Sequence, residues 1–354
     1  MNRYPERSVA QSTDPVAPKT VLHQDSSTSV ATIASVVRAG FLTSVQDLGR
    51  TGFRQFGVST SGALDSFALR VANLLAGNDE GAAGLEITLG GLQLRFEDKR
   101  MVAWCGGEFE VQVASRALPA GHVANLQAGD ELKFGRAQIG CRCWLAISGG
   151  IDVPVVLGSC STDLRANFGG LEGRALRNGD RLSLGEFRWS GTTAKVGISA
   201  WTAPHDWAIP ASRHPILRFV RGVDWDRFNA STAQRFSSEA FTVSPDSDRM
   251  GVRFDGPELK REDEVDLISE AVAPGTIQVP PNGKPILLLG DCQTIGGYPR
   301  MAHVITVDLG IAAQLRAGDR VRFSEVSLAD AHRLLLERQH DLVRFRIGLS
   351  LQRS

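Results

Sequence analysis

A mainly β chain of two related units, with few short helices and one C-terminal helix, is the fold this sequence predicts. Three observations predict it. At 354 residues the chain exceeds one ordinary domain. Its 37 glycines, 42% hydrophobic content and 7% aromatic share suit many short strands joined by tight turns. One phrase also occurs three times: LQAGDELKF from Leu126 to Phe134, LRNGDRLSL from Leu176 to Leu184, and LRAGDRVRF from Leu315 to Phe323. Each is a Gly-Asp turn feeding an alternating strand. The first and third share Ala-Gly-Asp and lie in different halves at no constant period, which points to two related units and not to a solenoid.

Bulk chemistry narrows the function. Lys and Arg number 39, as do Asp and Glu, so no global field favours nucleic acid or an anionic membrane. No apolar run approaches the roughly 18 residues of a membrane span. Residues 1–31 are rich in Ser, Thr, Pro and charge without an apolar h-region, and read as a flexible extension, not a signal peptide. Five cysteines, an odd number in a chain with no such signal, point to a reducing, cytoplasmic setting. Cys141 and Cys143 share one face of a strand and read as core. The seven histidines show neither H-x-H nor HExxH, so no metal site is expected.

The elements follow in order. Thr32 to Arg38 alternates as a first strand. A glycine-punctuated loop comes next, and Asp65 caps a helix from Ser66 to Leu75 that closes at Gly77-Asn78. Gln46, Asp47, Arg50, Ser59, Ser61 and Asp65 admit two readings: turn and capping hydrogen bonds, or a polar loop at the mouth of a site. Leu85 to Val113 is strand-like, and Gly140 to Ile151 is a buried strand ending in Gly-Gly. In Gly158 to Arg174, Arg165 and three glycines form either a structural Ω-type loop or an anion cradle. Gly191 to Pro215 reads as a connection. Strand Ile216 to Arg221 and a helix near Asp224 to Phe236 follow. Asp248-Arg249 is then either a surface ion pair or, in a pocket, an arginine fork for a carboxylate or phosphate. Leu328 to Leu342 is an amphipathic helix with Leu328, Leu334 or Leu335, and Leu342 on the face that packs on the barrel or on a partner.

The most informative stretch is Asp291 to Arg300, DCQTIGGYPR. It leaves the aliphatic strand Ile286 to Leu289 and is preceded by Glu270 and by Ile277-Gln278-Val279. Polar side chains at the end of a buried strand, beside Gly296-Gly297, suit a small polar ligand. The same residues also suit a plain hairpin turn.

These motifs resemble the family of the 5-oxoprolinase C subunit and allophanate hydrolase subunit 2, the carboxyltransferase C and D subdomains. The family pattern is close to SE-x-V-x-x-G-x-IQVP-x-x-G-x-PI followed by D-x-QT-x-GGYP. TSVQDLGR, SGALD and Ser247 to Gly251 match it too, so the resemblance runs from about Val36 to Phe323. The chain departs at Ile295, where the family has Thr, at Cys160, where it has Arg, and at Val223-Asp224, where it has Pro and Gln or Glu.

The resemblance implies two cyclophilin-like β-barrel domains, over 32–195 and 210–326, with 327–354 as helix and tail. It implies ATP-dependent opening of the pyroglutamate lactam to L-glutamate, together with a homologous B subunit and a lactam-utilisation A subunit. Glu270 and Asp291 are then candidates for acid–base work. Arg249, Lys284 and Arg300 would neutralise phosphate or carboxylate. Asp248, Gln278, Gln293, Thr294 and Tyr298 would bind the substrate. Two alternatives share the resemblance: a urea carboxyltransferase fed by biotin carried on another protein, and a non-catalytic regulator like relatives that antagonise a kinase inhibitor.

Overall fold

The three Gly-Asp phrases fold alike. In each, an Asp carboxylate accepts the N–H three residues before it: Gln127 to Asp130 at 2.7 Å, Arg177 to Asp180 at 2.7 Å and Arg316 to Asp319 at 3.0 Å. Gly129, Gly179 and Gly318 all sit at φ +90, the left-handed value that a type II turn requires at its third position. Each glycine N–H then docks on a strand carbonyl, of Phe96, Val36 and Val243 respectively. Strands Glu131–Ile147, Arg181–Leu184 and Arg320–Glu325 leave these turns. The repeated phrase is a repeated way of starting a strand.

The computed structural model describes residues 32–113, 115–187, 197–209, 212–262 and 267–353. The extension read over 1–31 and part of the connection read over 191–215 lie outside them. From Thr32 onward the chain is one compact unit.

Its first half forms a ten-stranded sheet. The central pair is Arg100–Val113 against Glu131–Ile147, antiparallel, with register shifts between Gly106 and Val111. At Gly106 a Cβ would meet the Arg142 carbonyl at 2.6 Å, so this bulge needs glycine. On one face Trp104 meets Phe109 and Phe134 edge-on, with centroids 6.3 and 5.9 Å apart. Gly84–Thr88 bridges Glu131–Ile147 to Leu42–Gln46. The segment read as a connection contributes an edge strand, Gly197–Thr202, paired with His122–Leu126.

The second half closes into a seven-stranded barrel. Ile216–Arg221 and Arg320–Glu325 seal it as parallel neighbours, Leu217 opposite Phe323. Closure leaves no free edge. Phenylalanines fill the lumen, with Phe236 stacked on Phe323 at 4.5 Å and edge-on to Phe219 at 5.0 Å. Phe236 comes from helix Ala230–Ser238, whose N-cap Asn229 accepts Thr232 N–H at 2.9 Å. That helix starts later than the sequence suggested, because Trp225–Arg227 is a separate 3₁₀ turn and the chain is extended at Phe228 and Asn229.

Helix Ser66–Ala76 joins the halves. Asp65 caps it by accepting Ala68 N–H at 2.9 Å, and Gly77 ends it at φ +81. Its apolar face belongs to the same core as the barrel's phenylalanines. The C-terminal helix runs over Leu328–Arg353, well past Leu342. Its buried residues are Leu342, Phe345 and Leu349, whereas Leu328, expected inside, is 60% exposed. Phe345 is held between Trp201 and Trp207, at 5.8 and 5.6 Å. All five cysteines are free thiols, and Cys141 and Cys143 are buried as core residues. Among the described residues no helix is long and apolar enough to cross a membrane, and no cluster of His, Cys, Asp and Glu is placed to hold a metal ion.

Candidate functional site

The two most distinctive motifs lie side by side because their strands pair, Gly251 opposite Leu288. Beyond the pair, Leu289 N–H donates to Met250 O at 2.9 Å and Asp291 N–H to Arg249 O at 3.1 Å. Neighbouring side chains on such a ladder leave in opposite directions. Arg249 and Asp291 turn inward, while Asp248, Met250 and Gln293 face a surface cleft.

Inward lies an ion cluster joining barrel to sheet. Arg249 Nε and Nη2 donate to the two Asp291 oxygens at 2.8 and 3.1 Å. Its Nη1 donates to Glu86, and its Nη2 also to the Gly62 carbonyl at 2.8 Å. Glu86, on strand Gly84–Thr88, accepts further from Leu64 N–H and Trp144 Nε1, both at 3.0 Å. Arg142 stands 3.7 Å from the same carboxylate. Burial pushes the Glu86 carboxyl up, but Arg249 and Arg142 outweigh it and hold it below the usual range. For Asp291 burial wins over Arg249, and the carboxyl is raised. Burial alone lowers the Arg249 guanidinium, yet Glu86 and Asp291 raise it overall.

All three Arg249 nitrogens are engaged within the protein, and Asp291 is 6% exposed. This corrects two expectations. Arg249 is neither a surface partner of Asp248 nor a fork for a ligand anion, and Asp291 is not a group that meets a ligand in the cleft. Asp248 instead folds its own turn, accepting Met250 and Gly251 N–H at 2.8 and 3.2 Å.

Outward lies a polar cleft of about 460 Å³. It gathers Asp248, Gln278, Lys284, Gln293 and Tyr298, five of the residues singled out from sequence. Gln293 Nε2 donates to Gln278 Oε1 at 3.4 Å, and Gln278 Nε2 donates to the Tyr298 carbonyl at 3.0 Å. Lys284 donates to Asp255 at 2.7 Å across the opening, which raises its ammonium. Arg54 pins the loop from behind, donating to Val272 O at 2.7 Å and Gln293 O at 3.0 Å. Thr294 contributes its carbonyl to Val272 N–H at 3.1 Å.

Beyond Tyr298 is a smaller recess of about 80 Å³, lined by Asp224, Glu270, Tyr298 and Arg300 among others. Arg300 Nη2 donates to Glu270, and Arg300 Nε to Asp224 at 3.2 Å. Burial lowers the Arg300 guanidinium, but these two acids raise it overall. Glu270 thus faces a different hollow from the amide pair, with Tyr298 lining both. Its strand Glu270–Ala271 pairs with Ile295–Gly296, and Ile295 is 60% exposed.

The residues placed at a site mouth mostly build loops. Asp47 accepts from Ser159 Oγ, Ser161 Oγ and Cys160 N–H, each at 2.6 Å, and from Gly49 N–H at 2.8 Å. The loop after Gly158 therefore wraps a carboxylate, which leaves Asp47 no place at the mouth. Arg50 lies 4.5 Å over the Phe168 ring and donates to Ser161 O and to Val156 O at 3.2 Å. Burial lowers its guanidinium. Gln46 donates to Thr162 O at 3.1 Å, and Ser61 lies 3.0 Å from Ser59. Arg165 donates to Met250 Sδ at 3.4 Å and so approaches the barrel motif. Asp65 serves as the helix cap, and burial raises its carboxyl.

Sequence reasoning missed Glu86, Arg142 and Arg54. The one available signal was an acid inside the aliphatic run Leu85-Glu86-Ile87, where a strand buried on both faces requires a partner for it.

A closed barrel joined to a sheet, with this cleft at the junction of its motifs, has the architecture of a carboxyltransferase domain. A family model described as carboxyltransferase domain, subdomain A and B, matches residues 56–325, and the chain belongs to that family. The sequence motifs had pointed to subdomains C and D; the family matched is that of A and B. Within the family, the chain is 43% identical over 297 residues to the C subunit of 5-oxoprolinase from Escherichia coli (strain K12), covering 84% of this chain and 92% of that protein. It is 38% identical over 290 residues to the C subunit of 5-oxoprolinase from Haemophilus influenzae, covering 82% and 90%. Among solved structures, the urea carboxylase of Kluyveromyces lactis superposes with TM-score 0.82 at 29% identity, over 89% of this chain and 29% of that one.

Proposed function

We propose that this chain is the C subunit of an ATP-dependent 5-oxoprolinase, which opens pyroglutamate to L-glutamate with its A and B subunits, and that its polar cleft holds the lactam. The supporting observation is the Gln278–Gln293 amide pair beside Tyr298, at 3.4 Å, in a cleft that also offers Lys284. Side-chain amides carry both a donor and an acceptor and so match a lactam N–H and C=O. Lys284 or Arg253 would take the substrate carboxylate. Glu270 is held by Arg300 in the separate recess beyond Tyr298, away from a lactam in the cleft. Arg249 and Asp291 act from behind, fixing the turn that carries Gln293.

A lactam is a resonance-stabilised amide, and phosphorylating its carbonyl oxygen supplies the missing leaving group. The cleft itself does not fit ATP. Asp246, Asp248 and Asp255 face Arg253 and Lys284 there, so a triphosphate would meet more negative than positive charge. In this reading ATP binds on one of the other two proteins.

The test is co-expression with the A and B subunits and measurement of 5-oxoproline-dependent ATP hydrolysis. Gln293→Ala and Lys284→Ala should each lower kcat/KM about tenfold, the loss of one directed hydrogen bond. Unchanged kcat/KM in both would remove the cleft from the reaction. The match to a urea carboxylase favours a second reading, a carboxyltransferase supplied by biotin on another protein. A streptavidin-reactive protein co-purifying with this chain, with urea-dependent ATP turnover, would select it. A stable complex with the B subunit and no turnover on lactam or urea would instead mark a regulator.

A further inference from the structure

The contact between Gln293 Nε2 and Gln278 Oε1, at 3.4 Å, is longer than the usual range of roughly 2.7–3.2 Å. A bond that long does not fix the spacing of the two amides, so the backbone beneath them must. Gln278 is fixed by its strand, Thr276–Gln278, which is paired on both sides within the barrel. Gln293 has no such support. It lies in the loop between Asp291 and the two-residue strand Ile295–Gly296.

What holds that loop comes from the other half of the molecule. Arg54 opens the 3₁₀ turn Arg54–Phe56, in the stretch between the sheet strand Leu42–Gln46 and helix Ser66–Ala76. Its Nη2 donates to Val272 O at 2.7 Å and to Gln293 O at 3.0 Å, and its Nη1 donates to Thr60 Oγ1 at 3.3 Å. Val272 N–H donates in turn to Thr294 O at 3.1 Å. Arg54, Val272, Thr294 and Gln293 thus close a ring, and one guanidinium ties together two segments distant in sequence. Among the described residues its acceptors are two carbonyls, a hydroxyl and, at 3.9 Å, the Cys292 sulfur, and none is a carboxylate. The group places backbone and neutralises no acid. Hydrogen bonds from a cation are the stronger kind, and the planar guanidinium gives them direction. With its carbonyl fastened behind, Gln293 presents its amide to the cleft.

We infer that Arg54 is a positioning residue of the cleft, acting through Gln293 to hold its amide where it and Gln278 together meet a lactam N–H and C=O. The inference rests on the cleft being the lactam site.

The experiment measures 5-oxoproline-dependent ATP hydrolysis with the A, B and C subunits together. Arg54→Ala should raise KM about tenfold with kcat retained, as Gln293→Ala does, because the amides meet the lactam before and during the reaction alike. A fault of folding or assembly would instead lower kcat at unchanged KM, and that result overturns the inference. In the Gln293→Ala background, Arg54→Ala should change KM by less than about twofold, since the group it positions is already gone. A full tenfold effect in that background overturns the inference, as does wild-type KM in Arg54→Ala alone. Unchanged kinetics in Gln293→Ala would remove the cleft reading and this inference together. A raised KM in Gln293→Ala with none in Arg54→Ala removes this inference only.

Discussion

Arg249 and Asp248 are neighbours in one motif, as are Asp291 and Gln293 in another, yet they occupy opposite sides of the same wall. On the inner side Arg249, Asp291 and Glu86 are 5, 6 and 2% exposed and satisfy one another. On the outer side Asp248, Gln293 and Lys284 line an open cleft with charge and amide groups facing solvent. The inner set is stability, and in the proposed function the outer set is recognition. A motif identifies the family, but burial decides which of its residues can touch a ligand.

The strongest way to break this contrast is Arg249→Ala. It leaves Asp291 without its cation and Glu86 with only Arg142, which costs about 3–5 kcal/mol. Urea denaturation should show that loss; wild-type stability in the variant would mean the cluster is not structural. Next is Glu86→Gln, expected to cost about 1–3 kcal/mol at pH 7 because buried donors lose a charged acceptor. Its sharper signature is pH. The Glu86 carboxyl is held below its unfolded value, so its contribution is full above about pH 4.3 and is lost as pH falls through the folded value. Asp291 is raised and works in the other direction. The wild type should therefore lose stability below pH 4.3 more steeply than Glu86→Gln, as followed by acid titration of the fluorescence midpoint. On the outer side Gln293→Ala should change stability by no more than about 0.5 kcal/mol while lowering kcat/KM. The smallest effect belongs to Asp255→Asn. It frees Lys284 from an exposed pair and should leave the thermal midpoint where it was.

Much of the fold could be read from local chemistry. The Gly-Asp phrases named their turns, Asp65 named its cap, and the aliphatic run before Asp291 named a buried strand, because each signal lies within a few residues of its effect. The candidate site was legible in identity but not in orientation. Gln278, Gln293, Tyr298 and Lys284 line one cleft, whereas Glu270 stands beyond Tyr298 and Arg249 faces the core. Orientation depended on Glu86, which is 163 positions from Arg249 in sequence. The exposure of Leu336, Val343 and Ile347 on the C-terminal helix was hidden for a related reason. Apolar residues on both sides blur the helical period that would have separated an inner from an outer face.

The Glu86–Arg249–Asp291 cluster has one more consequence, for how the polypeptide can be divided. Its acid on the sheet and its base on the barrel are each buried, and helix Ser66–Ala76 supplies core to both. Severed at the connection, the fragments would lose the charged hydrogen bond between Glu86 and Arg249 and would each bare an apolar seam. Sheet and barrel thus share one core and one buried ion cluster.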